Sequence, residues 1–165
     1  MSKIYLIHET TADNLVGIIE SKELTPSGGE TNQNPYDEKL PYTFFSCCSS
    51  KDFKTLLPYT LVFEIDILLG KKFYTNKNHS AGNLKTSQEV PETATKKEIK
   101  AHLTALLKQS RVHEMFMVFQ EIFISHDVPI SAAKYILLPR KDDRISEIRK
   151  LIKDQLPHVT VVWTK

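Results

Sequence analysis

Two polar residues in apolar surroundings are the candidates for chemistry in this sequence. His8 follows the apolar run Ile4–Ile7 and precedes a predicted helix, so its ring can lie at the end of a strand and exchange hydrogen bonds with a ligand. Glu121 lies within Val118–Ile124, where its carboxylate must be paired, hydrogen-bonded or functional because burying a lone charge is costly. A structural histidine and a salt-bridged glutamate are the alternatives that these two positions leave open.

The elements that position these residues follow from the spacing of apolar side chains. Lys3–His8 is predicted to be a strand, and Thr60–Ile67 shows the clearest alternation of apolar and polar residues. A capping-box pattern at Thr10, with Thr11 as the alternative cap, predicts a helix that ends near residue 23. A second pattern at Thr95 predicts a helix that ends near residue 110. Shorter patterns predict strands over 42–46, 134–138 and 158–163, a strand fed by the run 115–125, and a helix over 143–156.

Two long polar stretches, residues 25–41 and 70–91, are predicted to be loops because they lack apolar periodicity. No linker or internal repeat divides the chain, so residues 1–165 are expected to form a single small domain. The helices are too few for a doubly wound parallel sheet. The pattern therefore favours an α+β fold with a mixed or antiparallel sheet and flanking helices.

Composition excludes several classes of function. The 165 residues have a net charge of +2 and are 41% hydrophobic, which is ordinary for a globular protein. No apolar run reaches the roughly 20 residues of a membrane-spanning helix, and no signal-peptide pattern is seen. Cys47 and Cys48 are the only cysteines, so we expect no disulfide framework and a reducing, intracellular compartment. Phosphate-binding loops and metal-spaced clusters of His and Cys are absent from the sequence, so no metal is expected.

Two segments resemble motifs of the ADP-ribosyltransferase superfamily. YLIHETTADNLVGIIESKELTPS is similar to the first motif, in which a strand ends in His-x-Thr and leads into a helix. FQEIFISHDVPISAAKYILL is similar to the third motif, in which a strand opens with a glutamate and runs into a Val-Pro-Ile turn. The final HVTVVW, which follows a predicted helix, looks like the C-terminus of the DNA-modifying, toxin-type branch.

The resemblance implies a fold of the ADP-ribosyltransferase type, NAD as co-substrate, and transfer of ADP-ribose to a protein or nucleic-acid acceptor. Glu121 would be the catalytic residue, and His8 and Thr10 would bind the ribose on the adenosine side. The second motif should supply a Tyr or Ser beside nicotinamide, and Tyr42 and Ser46 are rival candidates. His8 and Glu121 are then expected to line one cleft from adjacent central strands.

One departure from the family favours a second interpretation. The DNA-modifying branch carries an arginine after the second motif, but the first arginine of this chain is Arg111. The alternative is a catalytically inactive member of the fold that binds a nucleotide or a partner. A related RNA 2′-phosphotransferase activity is disfavoured by the same scarcity of arginine. Tyr59 is an alternative to Tyr42 for stacking on nicotinamide. Four lysines could serve a nucleic-acid acceptor, although solvated loop lysines are the simpler interpretation: Lys71, Lys72, Lys77 and Lys85.

Overall fold

A large β-sheet with three helices forms the described part of the chain. The computed structural model describes residues 3–26, 42–49, 58–76, 85, 87–109 and 121–164. The helices in these ranges are α1 (Ala12–Ser21), α2 (Lys96–Gln109) and α3 (Ile145–Gln155), and short 3-10 turns span Ile65–Leu68 and Ile130–Ala132. The strands are β1 (Ile4–Thr10), β2 (Glu23–Leu24), β3 (Thr43–Ser49), β4 (Tyr59–Glu64), β5 (Phe73–Asn76), β6 (Gln88–Val90), β7 (Glu121–Ile124), β8 (Val128–Pro129), β9 (Ala133–Pro139) and β10 (Thr160–Thr164).

Eight of these strands form one sheet in the order β10-β9-β4-β1-β3-β7-β5-β6, and β2 pairs with β8 separately. All neighbours are antiparallel except β10 and β9, which are parallel and joined through α3. The α+β fold with a mixed, mostly antiparallel sheet is therefore confirmed. The predicted adjacency of the strands carrying His8 and Glu121 is wrong, because β3 lies between β1 and β7.

The two faces of the sheet have different neighbours. On the face that we call the helix face, buried helical residues such as Leu15, Leu103 and Ile152 join strand residues such as Leu6 and Phe45 in the main core. On the opposite face, which we call the far face, a smaller cluster contains no residue of the three helices. Its buried members are Tyr5, Ile7, Cys48, Val62 and Leu137. Alternation along each strand thus sorts the side chains into two environments.

The strand predicted over residues 60–67 is shorter than expected. β4 ends at Glu64, and the chain then enters a 3-10 turn in which Ile65 and Leu68 are both buried. This turn contacts α2, where Lys96 Nζ and Asp66 Oδ1 are 2.6 Å apart. In the sequence, Ile65 and Ile67 continue the alternation of β4 and so predict a longer strand. They belong to the 3-10 turn, because a helix with three residues per turn also buries apolar side chains at short intervals.

The stretch predicted as a loop over residues 70–91 contains β5 and β6. β5 pairs with both β7 and β6, and Phe73 and Thr75 are buried on the helix face. Thr75 Oγ1 and His102 Nε2 lie 2.7 Å apart and join β5 to α2. The two strands have four and three residues, which is too short for alternation to stand out in the sequence.

The helix starts follow the predicted capping patterns with one shift. α1 is capped by Thr11, whose Oγ1 accepts a hydrogen bond from the Asn14 N–H at 3.4 Å, and not by Thr10, the last residue of β1. The capping box of α2 is confirmed, because the Glu98 carboxylate accepts the Thr95 N–H at 2.7 Å. None of the helices within the described ranges is long and apolar enough to span a membrane.

Candidate active site at a split in the sheet

The pairing between β1 and β3 stops partway along both strands. The last pair in their register is Ile7 with Ser46. Beyond it, β1 continues to Thr10 on β4 alone, and β3 reaches back to Thr43 on β7 alone. The sheet therefore splits into two parts, which we call wings: β1 stays paired with β4, and β3 stays paired with β7. We call the opening between the wings the cleft, and Ile7 and Ser46 lie at its closed end, the apex.

His8 is the first residue of β1 beyond the apex, and its ring reaches across to β3. Nδ1 donates a hydrogen bond to the carbonyl oxygen of Phe44 at 2.9 Å. A carbonyl can only accept, so Nδ1 carries the proton and Nε2 of the neutral ring is an acceptor. Burial lowers the pKa of His8 and outweighs the opposing effect of the Phe44 carbonyl. The cleft thus contains a neutral imidazole, which also makes an edge contact with Phe45 at a ring separation of 6.1 Å.

Glu121 begins β7 directly opposite Ser46. Asn76 of β5 pairs with Glu121 from the other side. Directly opposed residues share a face, so Ser46, Glu121 and Asn76 form a polar row on the far face. Glu121 is only 3% exposed, and Asn76 Nδ2 donates to Ser87 Oγ at 3.3 Å. A buried carboxylate between a hydroxyl and an amide is the most polar feature of these otherwise apolar strands.

His8 and Glu121 approach the apex from different faces. Ile7 shares the row of Ser46 and Glu121, so alternation directs the His8 side chain toward the helix face. Two strand spacings separate Ile7 from Glu121, which corresponds to about 10 Å between their Cα atoms. The two predicted site residues therefore lie at one level of the sheet but on opposite faces of it, so the expectation that both line one cleft is wrong.

Thr10 and Tyr59 form the last pair of β1 and β4, on the wing that carries His8. Thr10 is buried at the end of β1. Tyr59 is 1% exposed and belongs to the main core. The expectation that the Tyr59 ring stacks on nicotinamide is therefore wrong, because its faces are enclosed by the protein.

Tyr42 belongs to a cluster of four aromatic rings on the far face. Phe123 is fully buried at its centre, and the ring centres of Tyr42, Tyr74 and Phe44 lie 5.1, 5.3 and 5.8 Å from that of Phe123. Tyr42 is four residues from Ser46, or about 13 Å along an extended chain. The cluster thus extends from the polar row toward the mouth of the cleft.

Tyr74 is the member of this cluster that sequence reasoning missed. It falls in a stretch predicted to be a loop, although the aromatic and β-branched run Phe73–Thr75 is a signal for a strand. Burial and the neighbouring Tyr74 raise the pKa of Tyr42, and the positive charge of Lys72 opposes that rise. Lys72 is therefore a cation close to the aromatic cluster. Lys77 lies outside the described residues.

No family model and no curated protein matches the chain. Three solved structures of DarT from Thermus sp. 2.9 match 98% of it. DarT in complex with carba-NAD+ is 16% identical, with a TM-score of 0.59 and 95% of that chain covered. The chain has the ADP-ribosyltransferase fold. DarT in complex with NAD+ is 15% identical, with a TM-score of 0.62 and 95% covered. DarT in complex with ADP-ribosylated ssDNA is 14% identical, with a TM-score of 0.61 and 94% covered.

The likeness to DarT confirms the fold that the first and third motifs implied. It extends over nearly the whole chain, whereas the two motifs cover only the segments around His8 and Glu121. At this identity the shared property is the fold.

Proposed function

We propose that the protein transfers ADP-ribose from NAD to a nucleic-acid acceptor, namely single-stranded DNA. The observation that carries this proposal is the buried Glu121 beside Ser46 at the apex of the split sheet. The DarT structures of the same fold hold NAD+, carba-NAD+ and ADP-ribosylated ssDNA, which supports NAD as the co-substrate and DNA as the acceptor.

Glu121 is the catalytic residue in this proposal. Transfer breaks the bond between nicotinamide and ribose, forms a bond from the ribose to the acceptor, and releases nicotinamide and the acceptor proton. Positive charge develops on the ribose as the first bond breaks, as in glycoside hydrolysis. A fixed carboxylate stabilises that charge more in the transition state than in the ground state, and this difference lowers the barrier.

The remaining residues near the apex offer groups for binding a dinucleotide, His8 on the helix face and Ser46 and Tyr42 on the far face. Nε2 of the neutral His8 is an acceptor for a ribose hydroxyl, and Thr10 lies two residues further along the same wing. Ser46 is favoured as the second-motif residue because it pairs directly with Glu121. Tyr42 offers an aromatic ring further along the far face, beside Tyr74 at a ring separation of 6.0 Å.

A catalytically inactive member of the fold is the second candidate. It is favoured by one observation: the arginines within the described ranges are Arg140, Arg144 and Arg149, and all follow β9 instead of lining the cleft. Such a protein would bind a nucleotide or a partner without releasing nicotinamide. Lys72, which lies near Tyr42 directly before β5, is a cation close to the aromatic cluster.

Nicotinamide release and ADP-ribosylation of a single-stranded oligonucleotide test the proposal directly. Glu121→Gln should keep NAD binding but lose about 10²–10³ in rate, because it removes one aimed charge at nearly constant volume. Glu89→Gln, on the exposed edge strand β6, is the matched control and should behave like the wild type. Equal rates for Glu121→Gln and wild type would refute the mechanism. NAD binding without nicotinamide release, with the oligonucleotide present, would support the inactive candidate.

An intracellular location forms part of the proposal. Cys47 and Cys48 are buried and not joined in a disulfide, as a reducing compartment would keep them. Burial, with a smaller contribution from Cys48, raises the pKa of Cys47, so this thiol stays protonated and unreactive.

A further inference from the structure

The only tryptophan of the chain lies on the edge strand β10. Trp163 is 38% exposed, and Val162 beside it is 40% exposed. The Arg149 guanidinium carbon lies 5.3 Å from the centre of the Trp163 ring. Arg140 and Trp163 line an open depression of about 290 Å³. We call Arg140, Arg149 and Trp163 the tryptophan patch.

The sequence from Arg140 into α3 is rich in basic residues. Residues 140–153 contain six basic and three acidic residues, a net charge of +3, whereas the whole chain carries +2. Arg144 is engaged by Glu147 at 2.8 Å and by Asp13, and Asp142 accepts its backbone N–H at 2.8 Å. Asp143 is the third acidic residue of the segment. Across the described ranges neither Arg140 nor Arg149 has an ion-pair partner, so no carboxylate neutralises their guanidinium groups.

The patch lies at the same end of the sheet as the mouth of the cleft. A row of paired residues runs across the far face from Glu9 through Thr60 and Leu137 to Val162. Three strand spacings therefore separate Val162 from Glu9, or about 14 Å. Trp163 and Thr10 follow these two positions at the same end of the sheet, and both lie on the helix face, opposite to the face of Glu121. A polymer that passes this end of the sheet can contact the tryptophan patch on the helix face and extend past β1 to the cleft.

We propose that the tryptophan patch anchors single-stranded DNA outside the catalytic cleft. One base stacks on the exposed part of the indole that Arg149 does not cover, and the guanidinium groups of Arg140 and Arg149 bind neighbouring phosphates. The DNA identity rests on the proposed function, and the charge supports it. A protein partner is disfavoured because Val162 and Trp163 are the only large exposed apolar residues here, with Leu69 the single other example in the described chain.

Binding of a fluorescently labelled single-stranded oligonucleotide, measured by anisotropy at several salt concentrations, tests the anchor. Trp163→Ala should weaken binding about 5- to 100-fold, and Trp163→Phe should restore most of the affinity because it keeps a stacking ring. Arg140→Gln with Arg149→Gln should also lower the slope of log affinity against log salt by about 0.7 for each phosphate that the protein no longer binds. Lys97→Ala with Lys100→Ala, which removes the same charge from the exposed surface of α2, is the control and should lower affinity less.

The outcomes separate the anchor from the proposed reaction. Patch variants should release nicotinamide from NAD at the wild-type rate in the absence of DNA, since the patch lies outside the cleft. Unchanged DNA affinity in the patch variants overturns the anchor, even if Glu121→Gln shows that the transferase reaction is real. The anchor is also overturned if the wild type does not bind DNA. It is overturned as well if Trp163→Ala changes only self-association, as measured by sedimentation. Patch-dependent DNA binding in a protein that releases no nicotinamide sustains the anchor and refutes the reaction.

Discussion

Ser46 lies directly opposite Glu121 in the register of β3 and β7, at the point where β3 loses its pairing with β1. Tyr42, the rival second-motif candidate, is four residues from Ser46 and packs on Phe123. The two candidates that the sequence left open therefore occupy different positions relative to the carboxylate. We expect them to affect different kinetic constants.

Ser46→Ala should lower kcat for nicotinamide release about 10-fold, because it removes a neutral hydrogen-bonding group next to Glu121. Tyr42→Ala should mainly raise the KM for NAD, because it removes a binding surface and leaves the carboxylate in place. Steady-state nicotinamide release as a function of NAD concentration distinguishes the two effects. A fall in kcat for Tyr42→Ala and none for Ser46→Ala would assign the second-motif role to Tyr42.

His8→Ala should weaken NAD binding more than it lowers kcat, since in the proposed function Nε2 accepts a hydrogen bond from a ribose remote from the breaking bond. Protonation of Nε2 removes the acceptor, and the pKa of His8 lies below its ordinary value of about 6.5. NAD affinity of the wild type should therefore stay constant above that pH and fall as the pH drops through the lowered pKa. Calorimetric titration at a series of pH values measures this dependence. The control His126→Ala, at an exposed position, should keep the wild-type dependence of NAD affinity on pH. The same dependence in His8→Ala would rule out the role given to His8.

The stability of the fold should also depend on His8 and His102. Burial lowers the pKa of both, so the unfolded chain binds more protons than the folded chain when the pH is below about 6.5. The contribution of these two histidines to the free energy of unfolding should have its full value above about pH 6.5. It should decline as the pH falls through their lowered pKa values. Urea unfolding at successive pH values gives the slope. His102→Gln should make it shallower, and an unchanged slope would show that His102 is solvated in the folded protein.

Phe123→Ala should destabilise the protein by about 3–5 kcal/mol, because it leaves a cavity beneath Tyr42 and Tyr74. Phe44→Ala, at a half-buried position of the same cluster, should cost less. Urea unfolding midpoints of the two variants measure the difference. A smaller loss of stability for Phe123→Ala than for Phe44→Ala would mean that Phe123 is not the centre of the cluster.

Sequence reasoning located the strongly periodic elements and the two motif segments. Helices with clear caps were found within one or two residues, as Thr95 and Glu98 show for α2. Alternation could not reveal β5 and β6, since three or four residues give too few repeats.

Local patterns in the sequence could not predict the order of the strands in the sheet. β1 pairs with two strands that come much later in the chain, and nothing near His8 encodes that β3 separates it from Glu121. The tryptophan patch was missed for a related reason. Arg140 and Arg149 are nine residues apart, and only the parallel pairing of β9 with β10 brings the first of them beside Trp163.

The central place of β1 has a consequence for synthesis on the ribosome. In β1, Tyr5 pairs with Cys48 of β3 on one side and with Glu64 of β4 on the other. Both of these strands follow β1 in the chain, so β1 leaves the ribosome before either has been synthesised. Until β4 has been translated, the apolar run Ile4–Ile7 has no sheet to join, and such segments are prone to aggregate or to bind chaperones. β9, α3 and β10 are close together in sequence and can assemble soon after translation. Completion of the centre of the sheet, and of the cleft that it carries, is thus expected to limit the rate of folding.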